Sequence, residues 1–200
     1  LTIQDRYKAE VPNLKQMLND AYGEVLTVHR LDKETSGVIC FARNTAAHKH
    51  LNTQFANGLV KKIYWAFVQG RPAVDEGQVD MPILNDMKNS GRMLIHKEGK
   101  EALTYFRTLA TFGNIALLEC FPKTGRTHQI RVHCAHLGHP IVGDPKYGAE
   151  QLDQALKPKP GRLMLHAAKL VIPPLQAGDK KTVVVADYDE RFLDMINKIV

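Results

Sequence analysis

Two strand-forming runs, 102–111 and 115–121, are separated only by Phe112-Gly113-Asn114, a spacing that joins strands lying antiparallel and side by side. This hairpin commits the middle of the chain to an antiparallel sheet, and other segments supply strands to extend it. Runs 26–28, 38–42, 59–68, 163–172 and 182–186 read as strands, and a looser stretch, 71–100, holds strand fragments around Val79 and Met93. The segment 13–21 places Leu14, Met17 and Leu18 at helical spacing ahead of Gly23. Asn44 or Thr45 can cap a second helix that carries Ala47, Leu51 and Phe55 on one face and ends near Gly58. A third helix is predicted from about Thr127, with Ile130, Cys134 and Leu137 as its apolar face and Gly138 and Pro140 as its stop, and a last one over 190–199. Strands and helices do not alternate as βαβ units. The expected fold is therefore α+β, a central mixed, mainly antiparallel sheet with flanking helices and loops, in one domain over residues 1–200.

A chain of 200 residues buries a sizeable core without a disulfide or metal staple. Cys40, Cys120 and Cys134 are odd in number and form no C-x-x-C pair, which disfavours a disulfide framework and points to a reducing, cytoplasmic setting. No apolar run approaches the ~20 residues of a membrane span. The net charge of +6 suits a polyanionic partner, and basic residues flank the two segments that look chemical, at Arg30, Lys33 and Arg43 and again at Lys123, Arg126 and Arg131.

The first of those segments, 29–37, reads His-Arg-Leu-Asp-Lys-Glu-Thr-Ser-Gly and is too polar and turn-rich for a strand interior. On a loop between two strands, Asp32 can be aimed into a cleft, with Arg30 and Lys33 beside it to hold it ionised near neutrality. The same residues describe an Asx-turn in which Gly37 supplies an unusual φ, and read alone the segment favours that turn. The second segment is 124–131, Thr-Gly-Arg-Thr-His-Gln-Ile-Arg. If helical from about Thr127, it sets Arg131 beside the buried edge marked by Ile130, where it can pair bidentately with a carboxylate. Thr127, His128 and Gln129 near a helix N-terminus can meet phosphate or base edges. A capped surface helix with solvated Arg and His accounts for this segment equally well.

Taken together, the two segments resemble the pseudouridine synthases of the RluA type, which carry H-R-L-D-x-x-T-S-G and, downstream, T-G-R-T-H-Q-I-R-V-H. A fully specified run such as G-R-T-H-Q-I-R arises by chance on the order of once in a billion positions, far more rarely than a loose glycine pattern. Further matches follow in the family's order: K-x-Y-x-A-x-V-x-G at 62–70, G-H-P-I-V-G-D-x-x-Y-G at 138–148 and L-H-A at 165–167. The resemblance runs from Val28 to the C-terminus. It implies that Asp32 is the catalytic aspartate, Tyr64 the aromatic that packs on the target base and Arg131 the basic partner of Asp32. On its own residues, Tyr64 reads as a sheet-core aromatic.

The resemblance also implies a uridine-to-pseudouridine isomerase acting on structured RNA, ribosomal RNA ahead of transfer RNA, with no cofactor and no metal. Arg30, Lys33, Thr35, Lys123, Arg126, Thr127, His128 and Gln129 are the expected RNA contacts, on a monomer with no membrane and no obligatory protein partner. Relatives usually carry a Lys-Pro-x-Gly strand before the helix that precedes H-R-L-D, and many have a small RNA-binding domain ahead of it. Leu1 falls about where that strand would have ended, so the expectation is a catalytic domain lacking its extreme N-terminal strand and any accessory domain.

Two rival readings differ in class. His133, His136 and His139, with Cys134 among them, resemble a metal cluster. Gly138 and Pro140 should break the helix before His139, however, and no Glu stands where a zinc-peptidase helix would place it. A non-catalytic RNA-binding module of the same fold would have no need of Asp32, Tyr64 and Arg131 together. Asp144 is expected in a turn beside the cleft with a structural role, and His166 could bond a neighbouring loop as readily as RNA. The runs 157–160 and 180–181 are expected to be solvated.

Overall fold

The computed structural model describes residues 13–156, 159–176 and 178–199. Helix α1 (Leu14–Tyr22) is capped by Asn13, whose Oδ1 accepts the Gln16 N–H at 2.9 Å, and it ends at Gly23 with φ 78°. Short strands β1 (Leu26–Thr27), β2 (Ser36–Gly37) and β3 (Phe41–Ala42) follow, β1 pairing with β3. Asn44 caps α2 (Thr45–Ala56) through a 2.8 Å bond from the Ala47 N–H. The chain then forms β4 (Lys61–Gln69), β5 (Glu76–Asp80), β6 (Ile83–Asn85), β7 (Met93–Ile95), β8 (Leu103–Phe112) and β9 (Ile115–Pro122). After these come α3 (Gln129–His136), α4 (Glu150–Ala155), β10 (Leu165–Ile172), β11 (Thr182–Val185) and α5 (Glu190–Ile199).

The β8–β9 hairpin turns at Gly113-Asn114, with Phe112 opposite Ile115. It sits inside a seven-stranded sheet of order β11-β10-β4-β9-β8-β5. All pairs on that path are antiparallel, and β2 adds the one parallel contact by lying against β10. The α+β expectation with a mixed, mainly antiparallel sheet therefore describes the fold.

Alternation of side chains across the strands gives the sheet two faces. Thr104, Phe106, Cys120 and Ala66 look inward toward α3, and the last three belong to the main core with Leu118, Ile130, Cys134, Val142 and Met164. Phe67 and Trp65 look outward, where α5 and the residues just ahead of it cover them: Phe192 of α5 packs on Phe67 at 5.1 Å between ring centroids, and Tyr188 stacks on Trp65 at 4.3 Å.

Several sequence expectations are corrected. The polar segment 29–37 does enter a strand, because Ser36–Gly37 forms β2 against β10, while the strand expected over 38–42 shrinks to Phe41–Ala42. Helix α3 starts at Gln129 rather than Thr127, because His128 adopts left-handed backbone angles of φ 55°, ψ 20°. It is not a surface helix: Gln129 to Cys134 are buried without interruption, so it has no solvated face over those turns, while Leu137, expected on its apolar face, is 36% exposed. Helix α4 carries no signal that the sequence reading used. Lys157 and Pro158 lie outside the described residues, while Lys180 and Lys181 are exposed. Among the described residues, no helix is long and apolar enough to cross a membrane.

Candidate active site

Asp32 stands on the loop between β1 and β2, and both ends of that loop are fixed. On the far side, Ser36 and Gly37 pair with His166 and Ala167 of β10, and the Val38 N–H donates to the Ala167 carbonyl at 2.8 Å. Gly37 is required there: its φ is 106°, and a Cβ would sit 2.2 Å from the Ala167 oxygen. Ser36 Oγ meets His166 Nδ1 at 2.8 Å and accepts from Arg162 Nη2 at 3.0 Å, so the buried His166 bonds the loop that carries Asp32. On the near side, His29 Nε2 accepts the Cys40 N–H at 3.1 Å and its ring stacks on Phe55. Burial, and then the charge of Lys62, pull the His29 pKa down to about 4, which keeps the imidazole neutral and able to accept that bond.

The cleft beside this loop has a volume of about 670 Å³. Asp32, Tyr64 and Arg131 all line it, from the loop, from β4 and from α3 respectively. Arg131 Nη1 donates to Asp32 Oδ2 at 3.3 Å. The other edge of the guanidinium is taken by Asp144: Nε donates to Oδ2 at 2.8 Å and Nη2 to Oδ1 at 2.7 Å. The bidentate pair anticipated for Arg131 is thus with Asp144, and Asp32 receives a single longer bond. Burial opposes the Arg131 charge, but Asp144 and then Asp32 outweigh it and hold the guanidinium pKa above its ordinary value. For Asp144, burial acts upward, while Arg131 and the N–H groups of Lys146 and Tyr147 bring its carboxyl below the usual range.

Tyr64 lies on the inward face opposite Cys120 and Ala167. Burial, reinforced by the charge of Asp32, pushes its phenol pKa up, so the ring reaches the cleft with a neutral hydroxyl. Two positions earlier on the same face, Lys62 Nζ donates to the Thr124 carbonyl at 2.7 Å, and burial lowers its pKa to about 8.

The expected RNA contacts separate into groups. Arg30, Thr35, Lys123, Arg126, Thr127, His128 and Gln129 line the cleft, whereas Lys33 is exposed outside it. Gln129 is used up inside the fold: its Oε1 accepts from Thr124 Oγ1 and the Arg126 N–H, and its Nε2 donates to Leu103 and Thr104. His128 Nδ1 meets the Tyr147 hydroxyl at 2.8 Å, and the Tyr147 ring lies 5.2 Å from the Arg131 guanidinium carbon. Sequence reasoning did not name Lys62 or His29 as site residues; the K-x-Y spacing, which sets Lys62 and Tyr64 on one face of a strand, was the available signal for Lys62.

The rival histidine cluster does not converge. His133 is buried with Nδ1 on Thr104 Oγ1 and Nε2 on the Met81 carbonyl, and His139 Nδ1 faces the Gln69 carbonyl. Among the described residues, no group of three His, Cys, Asp or Glu side chains is placed to hold a metal.

A loop carboxylate bonded by a buried arginine lines one cleft with an aromatic on a mainly antiparallel sheet, and the fold that carries this cleft is shared with RNA-acting isomerases. The chain belongs to the RNA pseudouridylate synthase family, whose model matches residues 4–136. It is 42% identical over 171 residues to an uncharacterized RNA pseudouridine synthase of Zymomonas mobilis, across 84% of this chain and 75% of that one. Against ribosomal large subunit pseudouridine synthase C of Buchnera aphidicola the identity is 40% over 177 residues, covering 86% of this chain and 56% of the relative. The solved structure of human RNA pseudouridylate synthase domain containing 1 superposes with a TM-score of 0.75 at 31% identity, covering 88% of this chain and 74% of that one. The chain spans about half the length of most of the curated relatives it matches.

Proposed function

We propose that this chain converts a specific uridine in structured RNA to pseudouridine, with Asp32 as the reacting carboxylate and ribosomal RNA, ahead of transfer RNA, as the substrate. The Asp32–Arg131 contact within a cleft that Tyr64 also lines carries the reading. The reaction breaks the N1–C1′ bond, turns the uracil and joins C5 to C1′; the C5 proton leaves, N1 gains one, and no electrons are transferred. Asp32 serves it either by bonding to C1′ or by taking a proton from the sugar, and the bond from Arg131 directs it in both cases. Tyr64 supplies a ring face for the detached base. Arg30, exposed at the cleft, fills the space left by the flipped nucleotide or holds its phosphate. Extruding that nucleotide costs roughly a few kcal/mol, less in loops, so unpaired regions are the expected targets.

The test is incubation with unmodified ribosomal RNA and transfer RNA, followed by mapping of pseudouridine. Asp32→Asn is expected to abolish product while leaving RNA affinity within about threefold, a change below ~1 kcal/mol. Product from the Asn variant would remove Asp32 from the chemistry. RNA binding without product in the wild type would make the chain a binding module.

A further inference from the structure

Among the described residues, the outward face of the sheet is only partly covered. Phe192 of α5 and Tyr188 just ahead of it close the end that holds Phe67 and Trp65, while on the other part of this face Tyr105 is 38% exposed and Val185 57% exposed. Tyr105 and Phe121 stand directly opposite each other across β8 and β9, so their rings share this face. Lys123 Nζ lies 5.6 Å from the centroid of the Tyr105 ring, and Lys123 also lines the cleft. Arg107 sits 5.9 Å from the Phe121 ring with its charge taken by Glu119 at 2.6 Å. Lys61 and Lys169 point to the same side from β4 and β10, since Lys169 pairs with Ile63 and Lys61, two residues before Ile63, shares its face.

We propose that this face is a stacking platform for the unpaired RNA strand that leaves the cleft past Lys123. The inference rests on the reading of the cleft as an RNA site and extends it around the edge of the sheet. Paired aromatics on an exposed sheet accept bases of any sequence, because every base has a π-face, and flanking lysines neutralise the phosphates. The face has a polarity that sets the direction of the strand. Glu76 and Asp80 edge it on β5, opposite Arg107 and Leu103, while the lysines lie on the side of β4 and β10. The strand therefore runs from Lys123 over Tyr105 and Phe121 toward Lys61 and Lys169. A protein partner fits this face less well, since lysine is depleted from the cores of protein interfaces and here it surrounds the aromatic pair.

Anisotropy with labelled oligouridylates of about 4 and about 12 nucleotides tests this on the full chain, the lengths bracketing what one cleft and one cleft plus platform can hold. Tyr105→Ala is expected to weaken the long oligomer about tenfold and the short one by less than about twofold, the loss of one stacked base. Tyr105→Trp keeps the sheet packing and long-oligomer affinity, and its added indole fluorescence is quenched by the long oligomer and not by the short one. Unchanged long-oligomer affinity in the Ala variant together with an unquenched Trp overturns the platform. So does a Tyr105→Ala effect seen only as a change of sedimenting mass, which would make the face a contact between copies. Pseudouridine mapping on the wild type separates the two readings: no product with quenching intact sinks the catalytic reading alone, and product without quenching sinks the platform alone.

Discussion

Arg131 gives two nitrogens to Asp144 and one to Asp32, and the two carboxylates are held unequally. Asp144, fully buried, takes Nε and Nη2 at 2.8 and 2.7 Å; Asp32, partly open to the cleft, takes Nη1 at 3.3 Å. The Asp144 oxygen Oδ1 is also bonded by the N–H groups of Lys146 and Tyr147, so the carboxylate is fixed before it fixes the arginine. The guanidinium is thus oriented by Asp144 and only touches Asp32, which is directed by one bond without being locked into a two-point ion pair.

Asp144→Asn would leave a buried arginine facing a neutral amide whose own N–H groups oppose the guanidinium donors. Removing one partner of a buried pair costs about 3–5 kcal/mol, and urea unfolding at pH 7 should show a loss of that order. Turnover in the folded fraction should drop by more than about tenfold, since Arg131 is no longer aimed. A stability change under about 1 kcal/mol would mean that the pair does not hold the arginine in solution.

Lys62 should give a pH dependence in two opposite directions. Its pKa falls from 10.5 to about 8 on folding, so the neutral amine is favoured in the native state, and stability is lost as pH falls from 10.5 through 8. At pH 7 the protein carries this partly buried charge at a cost of roughly 1–3 kcal/mol, discounted for solvent access. Lys62→Met should therefore raise the melting temperature at neutral pH while weakening RNA binding. In the wild type, RNA affinity should decline as pH rises past about 8, and that step should be missing from the variant. An unchanged pH profile of binding in Lys62→Met would place the charge outside the RNA path.

Gly37→Ala should be far more damaging than Gly113→Ala, although both glycines have positive φ. At Gly37 the new Cβ meets the Ala167 oxygen at 2.2 Å, whereas nothing lies within 4 Å at Gly113. The turn variant should lose about 1 kcal/mol from the backbone alone. The Gly37 variant must separate β2 from β10 and so displace the Asp32 loop, with turnover reduced by about 100-fold or more. Equal effects of the two substitutions on melting and turnover would contradict this.

Local signals were legible in the sequence wherever one residue decides the backbone. Asn44, one of the two caps the sequence offers, does cap its helix, Gly23 ends the first helix, and Gly113-Asn114 turns the hairpin. Structure that depends on distant partners was not. Ser36–Gly37 becomes a strand only because β10 lies beside it, and two residues carry no periodicity to announce that. Helix α3 reads as one-sided from Ile130 and Cys134, yet the burial of Arg131 and His133 comes from Asp144, Thr104 and Met81, far away in the chain. At the site, the spelled motifs led to Asp32, Tyr64 and Arg131, which do share one cleft. They did not distinguish Gln129, whose amide is saturated within the protein, from its neighbours Arg126 and Thr127 at the surface.

The parallel seam between β2 and β10 has a consequence for how the chain comes into being. The loop that carries Asp32 is synthesised before Ala167, its anchor, and Ala167 also follows Tyr64 and Arg131 in the chain. A nascent chain that has already exposed Asp32, Tyr64 and Arg131 still has no seam to seat the first of them. The three side chains are therefore brought into one cleft only after β10 has left the ribosome, and a polypeptide stopped before that point holds these residues without their geometry.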